Sequence, residues 1–264
     1  MKKILKISGW IGITAVLFVL FAAAISSSSD SVLGDVIIDI DYAGENYFID
    51  QEEVRETVLD LGYVRGETRL NEIDPGRIER ILQNDAFIQD AEVYKELNGD
   101  LHVDVLARKP IARVFNNSGK SVYIDHLGKV MPLSKKYTAR ILVVSGHISM
   151  NLDQVVGKNV SELDLETAHP DAAILNDVYA MSKFIGQDDF WKAQFNQVYV
   201  TRDKEFELIP RVGDHQILLG DAENLDKKLT KLRLFYREGL DKTGWNEYKT
   251  LNLKYTNQVV CTKT

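Results

Sequence analysis

An apolar run near the N-terminus constrains this chain more than any other feature. Between Gly9 and Ile25 the only polar side chain is Thr14. A helix over Ile4–Ile25 is roughly 33 Å long, and the hydrocarbon core of a bilayer is about 30 Å thick. The basic residues that precede the run are Lys2, Lys3 and Lys6. The positive-inside rule then predicts a cytoplasmic stub over residues 1–9, a single membrane span and the start of a linker over 10–28, and everything beyond outside the cytoplasm.

Two other interpretations of this run stay open. A secretory signal also has a basic start and an apolar region, and Ala22–Ala24 offers the small residues of a cleavage site. A helix buried in a protein core is apolar all round as well. Both the anchor and the signal place the remainder of the chain outside the cytosol.

Composition excludes several classes of function. The formal net charge of −7 is the wrong sign for a protein that binds nucleic acid. The one cysteine, Cys261, excludes an internal disulfide framework and a multi-cysteine metal site. The five histidines are scattered and give no H-x-x-x-H zinc pair. We therefore expect no metal, no cofactor and no small-molecule substrate.

Residues 36–107 carry the pattern of a small α+β module. Alternating apolar residues predict a strand over Val36–Tyr42, and Asp50 with Glu53 three residues later forms a capping box for a first helix. Asp74 followed by Pro75 is a strong start signal for a second helix. Two further strands, Ile88–Glu96 and Leu101–Ala107, are joined by the turn dipeptide Asn98-Gly99. The order is β-α-α-β-β, with two helices covering one face of a small sheet.

After Pro110 short strands dominate. One helix is predicted after His169-Pro170, and a longer one runs over 222–236, with lysines on its solvent side at positions 227, 228 and 231. The predicted strands are Ile111–Phe115, Ser121–Asp125, Lys129–Leu133, Ile141–Ser145, Val198–Thr201, Glu205–Pro210, His215–Leu219, Thr250–Tyr255 and Val259–Thr262. This pattern predicts a mainly antiparallel β domain with two helices.

A search for catalytic groups finds no diagnostic spacing. There is no G-x-S-x-G nucleophile turn and no phosphate-binding G-x-x-x-x-G-K loop. Ser145 with His147, and Asp125 with His126, fit turns between strands better than a catalytic or metal site. The neighbouring acids Asp188-Asp189 fit a solvated loop better than a pair of catalytic carboxylates. Cys261 is either a reactive thiol or a half-buried strand residue, and the second interpretation is favoured.

Several segments, in order, resemble one family. Asp74–Ile78 is similar to the start of the second helix of a POTRA domain, and Ala86–Val93 is similar to a "P-x-V-x-x-A-x-V" segment. Arg108–Ala112 resembles an "E-R-x-P-[VI]-A" junction, with Ala107 where glutamate is usual. Tyr123–Val130 resembles "[YL]-[VIL]-D-x-x-G-x-[VP]", and Leu251–Tyr255 resembles a closing "[IV]-D-L-R-Y". Behind the apolar run, this order identifies the chain as resembling the bacterial cell-division family FtsQ, called DivIB in some lineages.

The resemblance implies a fold and a function. The fold is α+β: an N-terminal transmembrane helix, a POTRA-like domain over 29–110, and the C-terminal β domain over 111–264. The function is that of a non-enzymatic, single-pass scaffold of the inner membrane at the division septum. Its implied partners are small bitopic division proteins of the FtsB/DivIC and FtsL kinds, which it links to septal peptidoglycan synthesis. The alternatives are a POTRA-bearing assembly or secretion component and an anchored cell-wall hydrolase.

The chain end offers a place for such a partner. A strand near the C-terminus is expected at a sheet edge, where unpaired backbone groups can accept a strand from another chain. We therefore predict that the partner site is the edge strand Leu251–Tyr255 with help from the following apolar residues, and the resemblance points to the same segment. The predicted partner-binding residues are Leu251, Asn252, Leu253, Lys254, Tyr255, Val259 and Val260.

Overall fold

A computed structural model of the chain describes residues 16, 18, 31–42, 44, 47–163, 169 and 171–264. These residues form two compact units that divide between Ala107 and Arg108. The predicted stub at 1–9 and the predicted span at 10–28 lie outside the described residues, apart from Val16 and Phe18. Across the described ranges, no helix combines the length and the apolar character needed to cross a bilayer.

The first unit is a three-stranded sheet with two helices. Its elements in chain order are β1 (Val36–Asp41), α1 (Gln51–Leu59), a 3₁₀ turn (Leu70–Glu72), α2 (Pro75–Gln83), β2 (Ile88–Lys95) and β3 (Leu101–Ala107). The strands lie in the order β1-β3-β2, with β1 parallel and β2 antiparallel to β3. Side chains from both helices and from one sheet face share a single apolar core. The predicted β-α-α-β-β order is confirmed.

Both predicted helix starts are present. The side chain of Asp50 accepts a hydrogen bond from the N–H of Glu53 at 3.0 Å, and the N–H of Asp50 donates to the Glu53 side chain at 3.2 Å. These two bonds complete the capping box, so donors that a helix start leaves unpaired are satisfied. The side chain of Asp74 accepts from the N–H of Arg77 at 3.2 Å, and Pro75 is the first helical residue.

The hairpin between β2 and β3 differs from the expected two-residue turn. Five residues, 96–100, connect the strands, and in this hairpin only Gly99 has positive φ, at 104°. The N–H of Gly99 donates to the carbonyl of Glu96 at 3.2 Å, and the Asn98 side chain accepts from the N–H of Asp100 at 2.9 Å. Asn98 therefore stabilises the turn through its side chain, and only the glycine needs the left-handed region.

The second unit is built on one nine-stranded sheet. Its strands in chain order are β4 (Pro110–Phe115), β5 (Ser121–Asp125), β6 (Val130–Met131), β7 (Leu142–Gly146), β8 (Phe195–Val200), β9 (Phe206–Pro210), β10 (Gln216–Gly220), β11 (Tyr248–Asn252) and β12 (Val260–Lys263). They lie in the order β12-β11-β10-β9-β8-β7-β4-β5-β6. The pairs β4–β7, β7–β8 and β10–β11 are parallel, and the other five pairs are antiparallel. The sheet is therefore more mixed than the sequence predicted.

The helices of this unit outnumber the predicted two. Among the described residues they are α3 (Ala172–Gly186), α4 (Asp189–Gln194), α5 (Leu225–Phe235), a π-helical turn (Tyr236–Leu240) and a final turn, α6 (Asp241–Thr243); 3₁₀ turns lie at Leu152–Val155 and Val160–Glu162. The expectation of a solvated loop at Asp188-Asp189 is wrong. The Asp188 side chain caps α4 by accepting from the N–H groups of Phe190 at 3.0 Å and Trp191 at 3.3 Å.

Burial along the strands shows where the core lies. In β4 and β9 alternate residues are buried and the residues between them are half-buried, and β8 follows the same alternation from Val198 to Val200. Buried residues of the sheet, α3, α4 and α5 form one apolar cluster. One sheet face therefore packs on the helices, as the two-residue period of a strand requires.

Candidate functional site

The predicted partner segment does not lie at the edge of the sheet. β11 pairs in parallel with β10 on one side and antiparallel with β12 on the other. The strand also ends at Asn252, so the strand predicted over Thr250–Tyr255 is too long at its C-terminal end. The prediction that Leu251–Tyr255 is an edge strand is therefore wrong, because the last residues of the chain add one more strand beyond it.

Three of the predicted site residues, Leu251, Asn252 and Leu253, have structural roles. Leu251 and Leu253 are fully buried in the core of the second unit. The N–H of Lys254 donates to the side chain of half-buried Asn252 at 3.0 Å. These contacts hold the end of β11 in place and leave the buried leucines unable to contact a second protein.

Lys254 is exposed but already engaged. Its ammonium donates to the carboxylate of Glu205. Its aliphatic stem lies close to Gly220, where an added Cβ would be 3.1 Å from the Cγ of Lys254. A Lys254→Glu substitution would place two carboxylates together, so it would disturb the fold as well as any partner contact.

The remaining predicted residues differ in their exposure. Tyr255 is 51% exposed and Val260 is 40% exposed, whereas Val259 is half-buried against the core. The alternation of β11 ends before Tyr255, so its ring does not share the buried face of Leu251 as the sequence suggested. Tyr255 and Val260 are the apolar side chains of the predicted set that are available to another molecule.

β12 is the open edge of the nine-stranded sheet. It pairs with β11 on one side, and its other side has no neighbouring strand among the described residues. Val260, Thr262 and Lys263 are exposed, whereas Cys261 is half-buried against the core. An edge strand of this kind presents unpaired N–H and C=O groups along its free side.

The opposite edge of the same sheet is protected. β6 has only two residues, Val130 and Met131, and both are buried. The N–H of Val130 donates to the carbonyl of Lys158 at 2.9 Å, and the carbonyl of Val130 accepts from the N–H of Gly157 at 2.8 Å. A loop thus satisfies the backbone of β6, and covering of this kind is a usual way to prevent pairing at a sheet edge.

Cys261 lies on β12 but does not have the environment of a reactive thiol. Burial raises the pKa of its thiol, which keeps the thiol protonated and weakly nucleophilic at neutral pH. The preferred interpretation, a half-buried strand residue, agrees with this position.

Asp125, which the sequence made a weak candidate for a metal ligand, has a structural role. Its buried carboxylate accepts from Arg108 Nη1 at 2.9 Å and from the N–H groups of Leu127 at 2.9 Å and Lys129 at 2.8 Å. With these three donors the carboxylate stabilises the β5–β6 turn, and Asp125 is 0% exposed, so it does not face solvent. In the parts of the chain that the structure describes, no group of three or more His, Cys, Asp or Glu side chains could hold a metal ion.

Sequence reasoning missed Lys231. The helical period placed it with Lys227 and Lys228 on the solvent side of α5, but Lys228 and Lys231 are both half-buried. The Lys231 ammonium lies within hydrogen-bond distance of backbone carbonyls in the loop between β11 and β12. No local sequence signal indicates this contact, because it joins residues more than twenty positions apart.

Comparisons with known proteins agree with this architecture. A family model described as "FtsQ/DivIB, C-terminal related" matches residues 109–262, which include the whole nine-stranded sheet apart from its last residue, Lys263. A model described as a POTRA-like domain matches residues 32–106. No curated protein matches the chain.

Proposed function

This chain belongs to the FtsQ/DivIB family of cell-division proteins, and from that premise we propose that it is a non-enzymatic scaffold that binds small bitopic division proteins. The family model covers the second unit, and the POTRA-like match accounts for the first. The two domains together are those of a division-protein scaffold. The partner proposed here is an FtsB/DivIC-like protein, which would bring an FtsL-like protein with it and connect both to septal peptidoglycan synthesis.

The observation that carries the proposal is the difference between the two sheet edges. β6 is short, buried and covered by a loop, whereas β12 exposes Val260, Thr262 and Lys263 and has one free side. An extended segment of another chain can add to such an edge through main-chain hydrogen bonds, while side-chain contacts decide which segment is accepted. Val260 and the nearby exposed ring of Tyr255 supply apolar surface for that selection.

The proposal includes a location for the protein. The lysines before the apolar run support residues 1–9 as a cytoplasmic stub and 10–28 as a span of the inner membrane with the start of a linker. The POTRA-like domain, 29–110, and the C-terminal domain, 111–264, then lie outside the cytoplasm at the division septum. There they can meet the extracytoplasmic segments of bitopic partners.

The partner site is tested by placing positively charged side chains on β12. In the full chain, purified in detergent, Val260→Lys combined with Thr262→Lys is expected to weaken binding of the FtsB/DivIC-like protein at least about tenfold, or 1.4 kcal/mol. Lysines on an edge strand oppose the addition of another strand because their ammonium groups resist burial. The measurement is the dissociation constant by interferometry or calorimetry.

Val212→Lys is the matched control, because Val212 is 52% exposed and lies between β9 and β10, outside the edge strand β12. The control is expected to bind like the parent chain. Equal binding by the parent and the β12 variant, with both proteins folded, would place the partner site elsewhere.

A further inference from the structure

The loop that leads into the open edge has few ties to the domain. Seven residues, 253–259, connect β11 to β12. Leu253 is buried and its N–H donates to the carbonyl of Leu218 at 2.9 Å, but residues 254–258 are all exposed. A surface loop with so little buried area is held mainly by its hydrogen bonds.

One side chain of α5 binds this loop at three points. The Lys231 ammonium is 3.2 Å from the carbonyl oxygen of Leu253 and 3.5 Å from that of Gln258, and it also donates to the carbonyl of Tyr255. An ammonium has three N–H donors and no acceptor, so three carbonyls can use its full hydrogen-bonding capacity. Lys231 thus supplies a hydrogen-bond donor to three carbonyls of this irregular loop.

The surroundings of Lys231 agree with such a role. Burial, followed by the charge of Lys228, lowers the pKa of the Lys231 ammonium below its usual value. Lys228 itself donates to the carboxylate of Asp221 at 2.6 Å and to the Asp221 carbonyl at 2.9 Å, so it is engaged with the loop that precedes α5. Two lysines one turn apart on the same helix therefore hold two different loops.

We propose that Lys231 is the positioning residue of the open edge: it fixes the loop 253–258 so that β12 stays paired with β11 and presents its free side to an incoming strand. The inference rests on the proposed function and deepens it, because it names the residue that keeps the partner site ready for binding. β12 has four residues and a strand partner on one side, so pairing alone holds it weakly. The contacts of Lys231 with the loop therefore decide what fraction of molecules has β12 paired with β11. The apparent dissociation constant of a partner rises in inverse proportion to that fraction.

The test compares hydrogen exchange and binding in the full chain. Lys231→Met keeps the aliphatic stem and removes the ammonium. The amides of residues 255–264 are expected to exchange at least about tenfold faster than in the parent, while those of α3 stay unchanged and report that the fold is intact. Binding of the FtsB/DivIC-like protein is expected to weaken as well, because the competent fraction falls, and by a smaller factor than the exchange rate rises as long as the edge is formed in most molecules.

Two further variants separate positioning from general stability. Lys231→Arg retains a charged donor group and is expected to restore most of the exchange protection and most of the binding. Lys227→Met removes an exposed lysine from the preceding turn of α5 and is expected to change neither measurement. Parent-like exchange of residues 255–264 in Lys231→Met would overturn the inference. A parent chain that fails to bind the partner, with faster exchange in Lys231→Met, would instead refute the proposed function and leave the role of Lys231 in ordering the edge established.

Discussion

The imidazole of His215 lies buried in the second unit, just before β10. Its Nε2 is 2.9 Å from the hydroxyl oxygen of Tyr236, the first residue of the π-helical turn. Burial lowers the pKa of His215 below its ordinary value of 6.5, while the backbone of Trp245 and the carboxylate of Asp214 act in the opposite direction. The contact between His215 and Tyr236 links the segment before β10 to the end of α5, and the lowered pKa favours the neutral form of the imidazole there.

This arrangement predicts a pH dependence of stability. The unfolded chain takes up a proton on His215 more readily than the folded chain does, so the free energy of unfolding decreases as the pH falls below about 6.5. A His215→Phe variant lacks this proton uptake, although its absolute stability also changes because Tyr236 loses a partner. The quantity to compare is therefore the slope of stability against pH, from urea unfolding at several values between pH 7.5 and 5. Carboxylates contribute equally to both proteins, so a difference between the two slopes reports on His215. Equal slopes for the parent and His215→Phe would show that folding does not lower the pKa of His215.

At the residue scale, the sequence predicted the two helix starts of the first unit best. Asp50 with Glu53, and Asp74 with Pro75, act over three or four neighbouring positions, so their hydrogen bonds could be predicted without knowledge of the fold. The role of Lys231 could not, since its carbonyl partners are brought to it only when β11 packs beside α5. Asp188 was misassigned although its cap is equally local, because the short helix α4 that it begins, Asp189–Gln194, was not predicted.

At the scale of elements, the three-stranded sheet of the first unit has two unlike faces. Val103 on the central strand β3 is fully buried against the helices. On the other face Asp104 pairs in register with Asp39 on β1 and with Glu92 on β2, which places three carboxylates in one row across the sheet. Like charges directly opposite each other destabilise a sheet. The faces should therefore respond in opposite ways to substitution.

Substitutions at adjacent positions of β3 test this assignment. Val103→Asp is expected to lower the free energy of unfolding by several kcal/mol, a large part of the stability of a small domain, because a charge would be buried without a partner. Asp104→Asn, its neighbour, is expected to raise the same quantity by about 0.5 kcal/mol because it removes one charge from the row. Chemical denaturation followed by circular dichroism measures both. An unchanged unfolding midpoint for Val103→Asp would show that β3 faces the other way.

Strand identity was easier to predict than strand order. Period-two alternation located most strands to within a few residues, because it depends on neighbouring positions alone. The pairing of β11 with both β10 and β12 depends on contacts distant in sequence, and the edge was therefore assigned to Leu251–Tyr255 instead of Val260–Lys263. The three parallel pairs of the nine-stranded sheet likewise arise from crossovers that no local pattern specifies.

At the scale of the whole molecule, family and function depend on different observations. The family could be predicted from segments scattered along the chain, and the matches over residues 109–262 and 32–106 confirm that assignment. The partner surface had to come from the structure, because the family pattern does not distinguish a strand that is paired on both sides from one that is open. Our proposal accordingly assigns partner binding to β12, with β11 as its support.

The most direct test of this account is site-specific photo-crosslinking in dividing cells that carry the full chain as their sole copy. A photoreactive amino acid is placed at Val260 on β12 and, as a control, at Val212 between β9 and β10. We expect irradiation to join the Val260 position to an FtsB/DivIC-like protein, identified by mass spectrometry, and to give no such product from Val212. A crosslink to that protein from Val212 but not from Val260, or none from either position while division proceeds normally, would contradict the claim that the open edge is the partner site.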